Sequence, residues 1–387
     1  MPDNNQYYYN NFNSANNGYY YNPFGNTQQP QQPPQPQYPY PQQYPYPQQQ
    51  YMAPPQYLRE LAEKKARENK EKHDIRKVSL GLGICIFAYL FVQVVLGVVL
   101  SALGLSDALD SNPVFSNGFT MIFVSFLAVL VPFGLMAVFF SAKKQYKYPV
   151  IPNRRLDFSR LVAWVLFGML CCIVAQVAVG IMVTLLENVG ITLNSPEYAE
   201  ANSPFALFTE FVATAIVPAI CEELAMRGCS LQLLRRYGTG FAMFAVSIVF
   251  GLLHGNAVQF VFAFLVGLTL AFVTVKTESI VPAILIHGLN NAMSCVLSII
   301  KYYSNADVED TASIFIYFGF AAIGLVGLIF LFKWKEFRKP VPKEEGVLSG
   351  GQKMVAFLFP WMILPFLILI LLTCSTIDID TSVWNIH

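Results

Sequence analysis

From residue 79 onward the chain alternates apolar runs of roughly 20 residues with short polar breaks, and a helix of that length rises ~30 Å, enough to cross a bilayer core. The runs fall at 79–104, 119–141, 161–186, 205–226, 239–254, 257–275, 279–300, 312–332 and 354–374. They predict an all-α fold, a polytopic membrane helix bundle of about nine spans. The fifth and sixth runs are individually short and are separated by only about two residues near Gly255 and Asn256, so a re-entrant pair is the alternative there. Ahead of the runs, 58–78 (LRELAEKKARENKEKHDIRKV) reads as a basic juxtamembrane helix lying along anionic headgroups. Residues 1–57 are rich in Tyr, Gln, Pro and Asn and contain no apolar signal segment. They predict a disordered cytoplasmic tail, read as a solvated tether, with PxxP-type recruitment of a partner as the alternative.

Composition sharpens this picture through the placement of charge. Only 13% of the 387 residues are charged, about half the share of a soluble domain. The 25 Lys and Arg nearly balance the 24 Asp and Glu, so no basic field points to nucleic acid. Yet 24 of the 25 basic residues fall on one side of the nine-span layout. The other side holds only Lys301, with ten acids that include Glu197, Glu200, Glu309 and Asp378. Cytoplasmic segments carry the positive excess, which predicts a cytoplasmic N-terminus and an external C-terminus at the plasma membrane. The seven cysteines lie in or beside apolar runs without CxxC spacing and read as reduced core residues.

Ionisable groups inside spans are costly and mark function by default. Here they cluster in three helices: Glu210, Glu222, Glu223 and Arg227 in the fourth run, His254 at the end of the fifth, and His287, Asn290 and Asn291 in the seventh. Glu223 and Arg227 are four apart on one helical face, so Glu223 most simply neutralises Arg227. Glu222 points about 100° away and keeps no local partner. If the fourth run continues as a helix to Gly238, Glu222 and His254 sit equally far from that turn, at ~24 Å, and His287 and Asn291 lie ~15–21 Å beyond the turn near Thr277. A carboxylate, two imidazoles and an amide then converge within the bilayer, in a cavity expected to open toward the cytoplasm. Such a carboxylate suits a general base acting on water, His254 an orienting or proton-donating partner, and Asn291 an oxyanion donor. The same set also resembles a zinc site with an open position, although HExxH spacing is absent. A proton or ion relay is the competing class, opposed by the lack of a matching cluster in a second half of the chain. A catalytically silent membrane scaffold is a third.

The strings EExxxR (Glu222, Glu223, Arg227), FxxxH (Phe250, His254) and HxxxN (His287, Asn291) occur in this order within about 70 residues. In this the chain resembles the CPBP family of intramembrane proteases, which includes type II CAAX prenyl endopeptidases and bacterial bacteriocin-processing and self-immunity proteins. The resemblance covers 205–300 and makes that stretch a catalytic core, with accessory spans over 79–186 and 301–387. It implies that Glu222 activates water with His254, that Glu223 and Arg227 are structural, and that His287 and Asn291 complete the site. The implied substrate is a membrane-associated peptide or protein, with or without a prenyl group. The cofactor is either none or one zinc ion, the metal-free mechanism being favoured because Glu222 would otherwise serve as ligand and base at once. Phe250 reads as a packed wall, Glu210 as a packing or cavity-mouth residue, and Asn290 as either packing or substrate contact.

Overall fold

The computed structural model describes residues 55–194, 200–341 and 346–380. The expected tail, its partner-recruiting role and Glu197 therefore fall outside the described residues, apart from the first turn of helix α1. Nine principal helices follow one another: α1 (Pro55–Ala102), α2 (Pro113–Ala142), α3 (Phe158–Glu187), α4 (Pro204–Tyr237), α5 (Thr239–Leu252), α6 (Ala257–Thr277), α7 (Val281–Tyr303), α8 (Ala306–Phe332) and α9 (Gly350–Cys374). Among the described residues eight of these are long and apolar enough to cross a membrane. The exception is α5, whose 14 residues rise only ~21 Å. The chain is thus a multi-pass membrane helix bundle, and its exposed Phe91, Phe315, Phe318 and Leu371 form an apolar exterior suited to lipid.

Polar cross-links sort the connections into two ends. At one end Arg236 Nη1 donates to the Gln145 carbonyl at 2.7 Å, and the Arg154 N–H donates to the Glu278 carbonyl at 3.0 Å. Lys276 Nζ donates to the Phe337 carbonyl at 3.0 Å, and Glu71 Oε2 accepts from the Val347 N–H at 2.8 Å. These tie together the basic segments. At the other end β1 (Ile191–Leu193) pairs antiparallel with β2 (Ile377–Ile379), the Ala257 N–H donates to Thr376 Oγ1 at 3.1 Å, and Lys301 Nζ donates to Glu200 at 2.7 Å. Each of these connections lies at the end that alternating passage requires, so α5 still links the two ends although it is short. The turn Leu253–Asn256 completes its path.

Residues 58–78 and the first span lie within one unbroken 48-residue helix, because nothing between Lys77 and Ser79 interrupts the backbone hydrogen bonds. Ile75, Val78, Leu82, Cys85 and Ile86 bury one face of it, and the Ser79 hydroxyl donates to the Phe357 carbonyl of α9. Spacings of three and four place these side chains on a single stripe. All seven cysteines are free, and five of them are buried.

Candidate active site

The fourth helix is shaped by Pro218, which has no N–H to return to the Thr214 carbonyl one turn earlier. The turn over Phe211–Ile216 widens to π-helical geometry, and Asn291 Nδ2 of α7 donates to the freed Thr214 carbonyl at 2.9 Å. Proline is tolerated within a span when a neighbouring helix satisfies the exposed group in this way. Asn291 thus keeps its second N–H for other use, and its Oδ1 accepts from Asn290 at 3.3 Å.

One turn further along α4 the two adjacent glutamates separate. Glu223 is fully buried; its Oε1 accepts from Arg227 Nη1 at 2.8 Å and from His287 Nδ1 at 2.9 Å. Arg227, equally buried, also donates to the Gly267 carbonyl at 3.2 Å and lies over the Phe250 ring at 4.5 Å. That carbonyl is within reach because α6 packs tightly here: a Cβ on Gly267 would meet the Ser247 Cβ at 3.2 Å and Phe250 Cδ1 at 3.3 Å. Glu222 instead turns to the wall of a cavity, with its side chain 23% exposed and its Oε2 3.9 Å from His287 Nε2.

Both histidines are held through Nδ1. A carboxylate and a carbonyl only accept, so each neutral imidazole carries its proton on Nδ1 and leaves Nε2 as a free acceptor. For His287 the acceptor is Glu223. For His254 it is the Phe250 carbonyl at 2.8 Å, a last-turn carbonyl of α5 left open because the His254 N–H bonds to Gly251 instead. Imidazole capping of a helix end is followed at once by Gly255 at φ +69°, where a side chain would be strained and the chain must reverse into α6. Phe250 packs edge-on against both rings, with centroids 5.0 Å from His254 and 5.9 Å from His287.

Glu222, His254, His287, Asn290, Asn291 and Phe250 all line one cavity of about 900 Å³. Its lining continues past Glu210 and Ser298 to Glu200, Lys301, Tyr302 and Glu309. Those residues belong to the acid-bearing end. At that mouth the Lys301 ammonium holds the Glu200 carboxyl below its usual range. On α4, the residues that follow Glu222 toward the basic loops, Glu223, Arg227, Leu231, Gln232, Leu233 and Leu234, are buried, whereas the cavity lining runs to the acid-bearing end. Equal heights along a hairpin place residues at one depth, but not the side from which that depth is reached.

Among the described residues no three His, Cys, Asp or Glu side chains converge as a metal-binding group, so the donors present do not make a preformed zinc site.

Residues 204–293 match the family model described as type II CAAX prenyl endopeptidase Rce1-like. The matched segment is thus similar to that family over α4 to the middle of α7, and it contains every residue of the EExxxR, FxxxH and HxxxN strings. No curated protein and no solved structure matches the chain. Sequence reasoning missed the polar face of α7, which runs on past the matched segment. Its signal was available, since Asn291, Ser294, Ser298 and Lys301 recur at spacings of three and four.

Proposed function

We propose that the chain is an intramembrane endopeptidase that hydrolyses a peptide bond of a membrane-associated peptide or protein, using water activated by Glu222. The observation that carries this reading is the division of labour between neighbouring glutamates. Glu223 is spent on Arg227 and His287, whereas Glu222 faces the cavity with no ion pair shorter than 3.9 Å. A carboxylate in a membrane cavity beside two free Nε2 acceptors is suited to take a proton from water as the oxygen adds to the scissile carbonyl. The remaining N–H of Asn291 suits the oxyanion, and His254 Nε2 relays the proton to the leaving amine. With the basic end cytoplasmic by the positive-inside rule, the N-terminus is cytoplasmic, the C-terminus external, and the cavity faces the outer side of the plasma membrane. A transporter would need access from both ends, which the packed layer around Arg227 opposes.

The test is cleavage of a mixed-sequence peptide library by the full-length chain in lipid nanodiscs, read by mass spectrometry. Glu222→Gln and His254→Ala should each lose activity by about 10²–10⁴-fold while reaching wild-type abundance. Undiminished cleavage by Glu222→Gln would refute the assignment.

A further inference from the structure

The cavity says more about its occupant than hydrolysis alone requires. At 100° per residue, His287, Asn291, Ser294, Ser298 and Lys301 fall within an arc of about 80° on α7, and all five line the cavity. Leu285, Leu289, Val296, Ile299 and Tyr303, each 37–68% exposed, occupy roughly the opposite arc, 120–200° away. One helix thus shows an apolar face outward and a continuous polar face to the cavity. From His287 to Lys301 that face is ~21 Å long, the length of about six residues of extended peptide at ~3.4 Å each.

The α7 face penalises an apolar occupant along its length, because an isoprenoid or acyl chain would cover its hydroxyls and amides without bonding them. An extended peptide offers an N–H and a C=O at every residue. Ser116, Asn117 and Thr120 of α2 also line the cavity, so polar groups come from more than one helix. Charge then selects among peptides. Four carboxylates line the cavity, Glu200, Glu210, Glu222 and Glu309, against one ammonium, Lys301, which is already held by Glu200 at 2.7 Å. Low-dielectric walls concentrate such a field on whatever enters.

Building on the peptidase reading, we infer that this cavity takes a polar, cationic peptide segment in extended form, entering from the acid-bearing end and carrying no lipid chain into the cavity. The experiment measures binding, so that it stands apart from cleavage. Three fluorescent hexapeptides, bearing two lysines, two glutamates, or a farnesylated cysteine, are titrated against the full-length chain in uncharged nanodiscs, with empty nanodiscs as the blank. The dilysine probe should bind at least tenfold more tightly than the diglutamate probe, and the preference should shrink as salt rises. It should fall at least fivefold in Glu309→Gln and in Glu210→Gln, each checked for wild-type thermal stability. Equal or tighter binding of the diglutamate or farnesylated probe, or no binding of the dilysine probe to wild type, would overturn the inference. Binding of the dilysine probe without any cleavage would leave it standing and count against the peptidase reading. Cleavage of a farnesylated peptide that the dilysine probe does not displace would do the reverse.

Discussion

Replacing Glu223 by Gln tests the separation of the two glutamates most directly, because it removes a charge and almost no volume. In the native chain one oxygen of Glu223 accepts from both Arg227 and His287, and Glu223 and Arg227 are fully buried. After substitution the amide oxygen can still accept from Arg227, but neither it, the Gly267 carbonyl nor the face of Phe250 carries a neutralising charge. Breaking one side of a buried pair costs about 3–5 kcal/mol, which for a chain of this size is roughly 4–6 °C in Tm. Glu222→Gln, in contrast, removes a carboxylate at a cavity wall and should stay within about 1 kcal/mol, or ~1 °C. The double variant Glu223→Gln with Arg227→Met should lose less than the sum of the two single changes, by about 0.5–3 kcal/mol, since no unpaired charge remains. The assay is thermal unfolding in one detergent at fixed protein concentration, with monodispersity checked by size exclusion. A wild-type Tm for Glu223→Gln together with a large drop for Glu222→Gln would show that the roles are reversed.

Other consequences can be checked independently. Asn291→Ala should destabilise by about 1–3 kcal/mol, because it reopens the Thr214 carbonyl freed by Pro218; Asn291→Asp, which accepts but does not donate when ionised, should fail to restore the loss, and a wild-type Tm for both would refute the capping role. Single cysteines at Lys143 and Asp307, in a background with the exposed Cys374 removed, should react with an impermeant maleimide from opposite sides, Lys143→Cys from the cytoplasm; labelling of both from one side would break the two-end assignment. Chelators should leave peptide cleavage within about twofold, and loss of cleavage that stoichiometric zinc restores would reinstate a metal mechanism.

Much of the fold was legible because span length and loop charge are properties of local sequence. The apolar runs anticipated nine helices, and the doubtful pair at Gly255 proved to be the place where one helix is only 14 residues long. The i, i+4 spacing of Glu223 and Arg227 anticipated their contact at 2.8 Å. What escaped depends on packing between distant segments. Nothing local indicates that Gln232 is fully buried between Leu231 and Leu233, nor that the Asn291 amide is partly used on a carbonyl 77 positions earlier.

His287 joins the two halves of the arrangement. Its Nδ1 is bound to the buried pair and its Nε2 faces Glu222, so the ion pair that stabilises the core also sets the tautomer and ring orientation presented to the cavity. A glutamate doublet achieves this because successive positions on α4 differ by 100°: one carboxylate can be drawn fully into the core while its neighbour stays at the cavity wall. The cost of burying Arg227 is then offset by Glu223 without consuming Glu222. Had a single glutamate served both purposes, pairing with the guanidinium would have held it ionised and orientated away from the cavity, and proton uptake from water would have been opposed by the same charge that kept the helix packed.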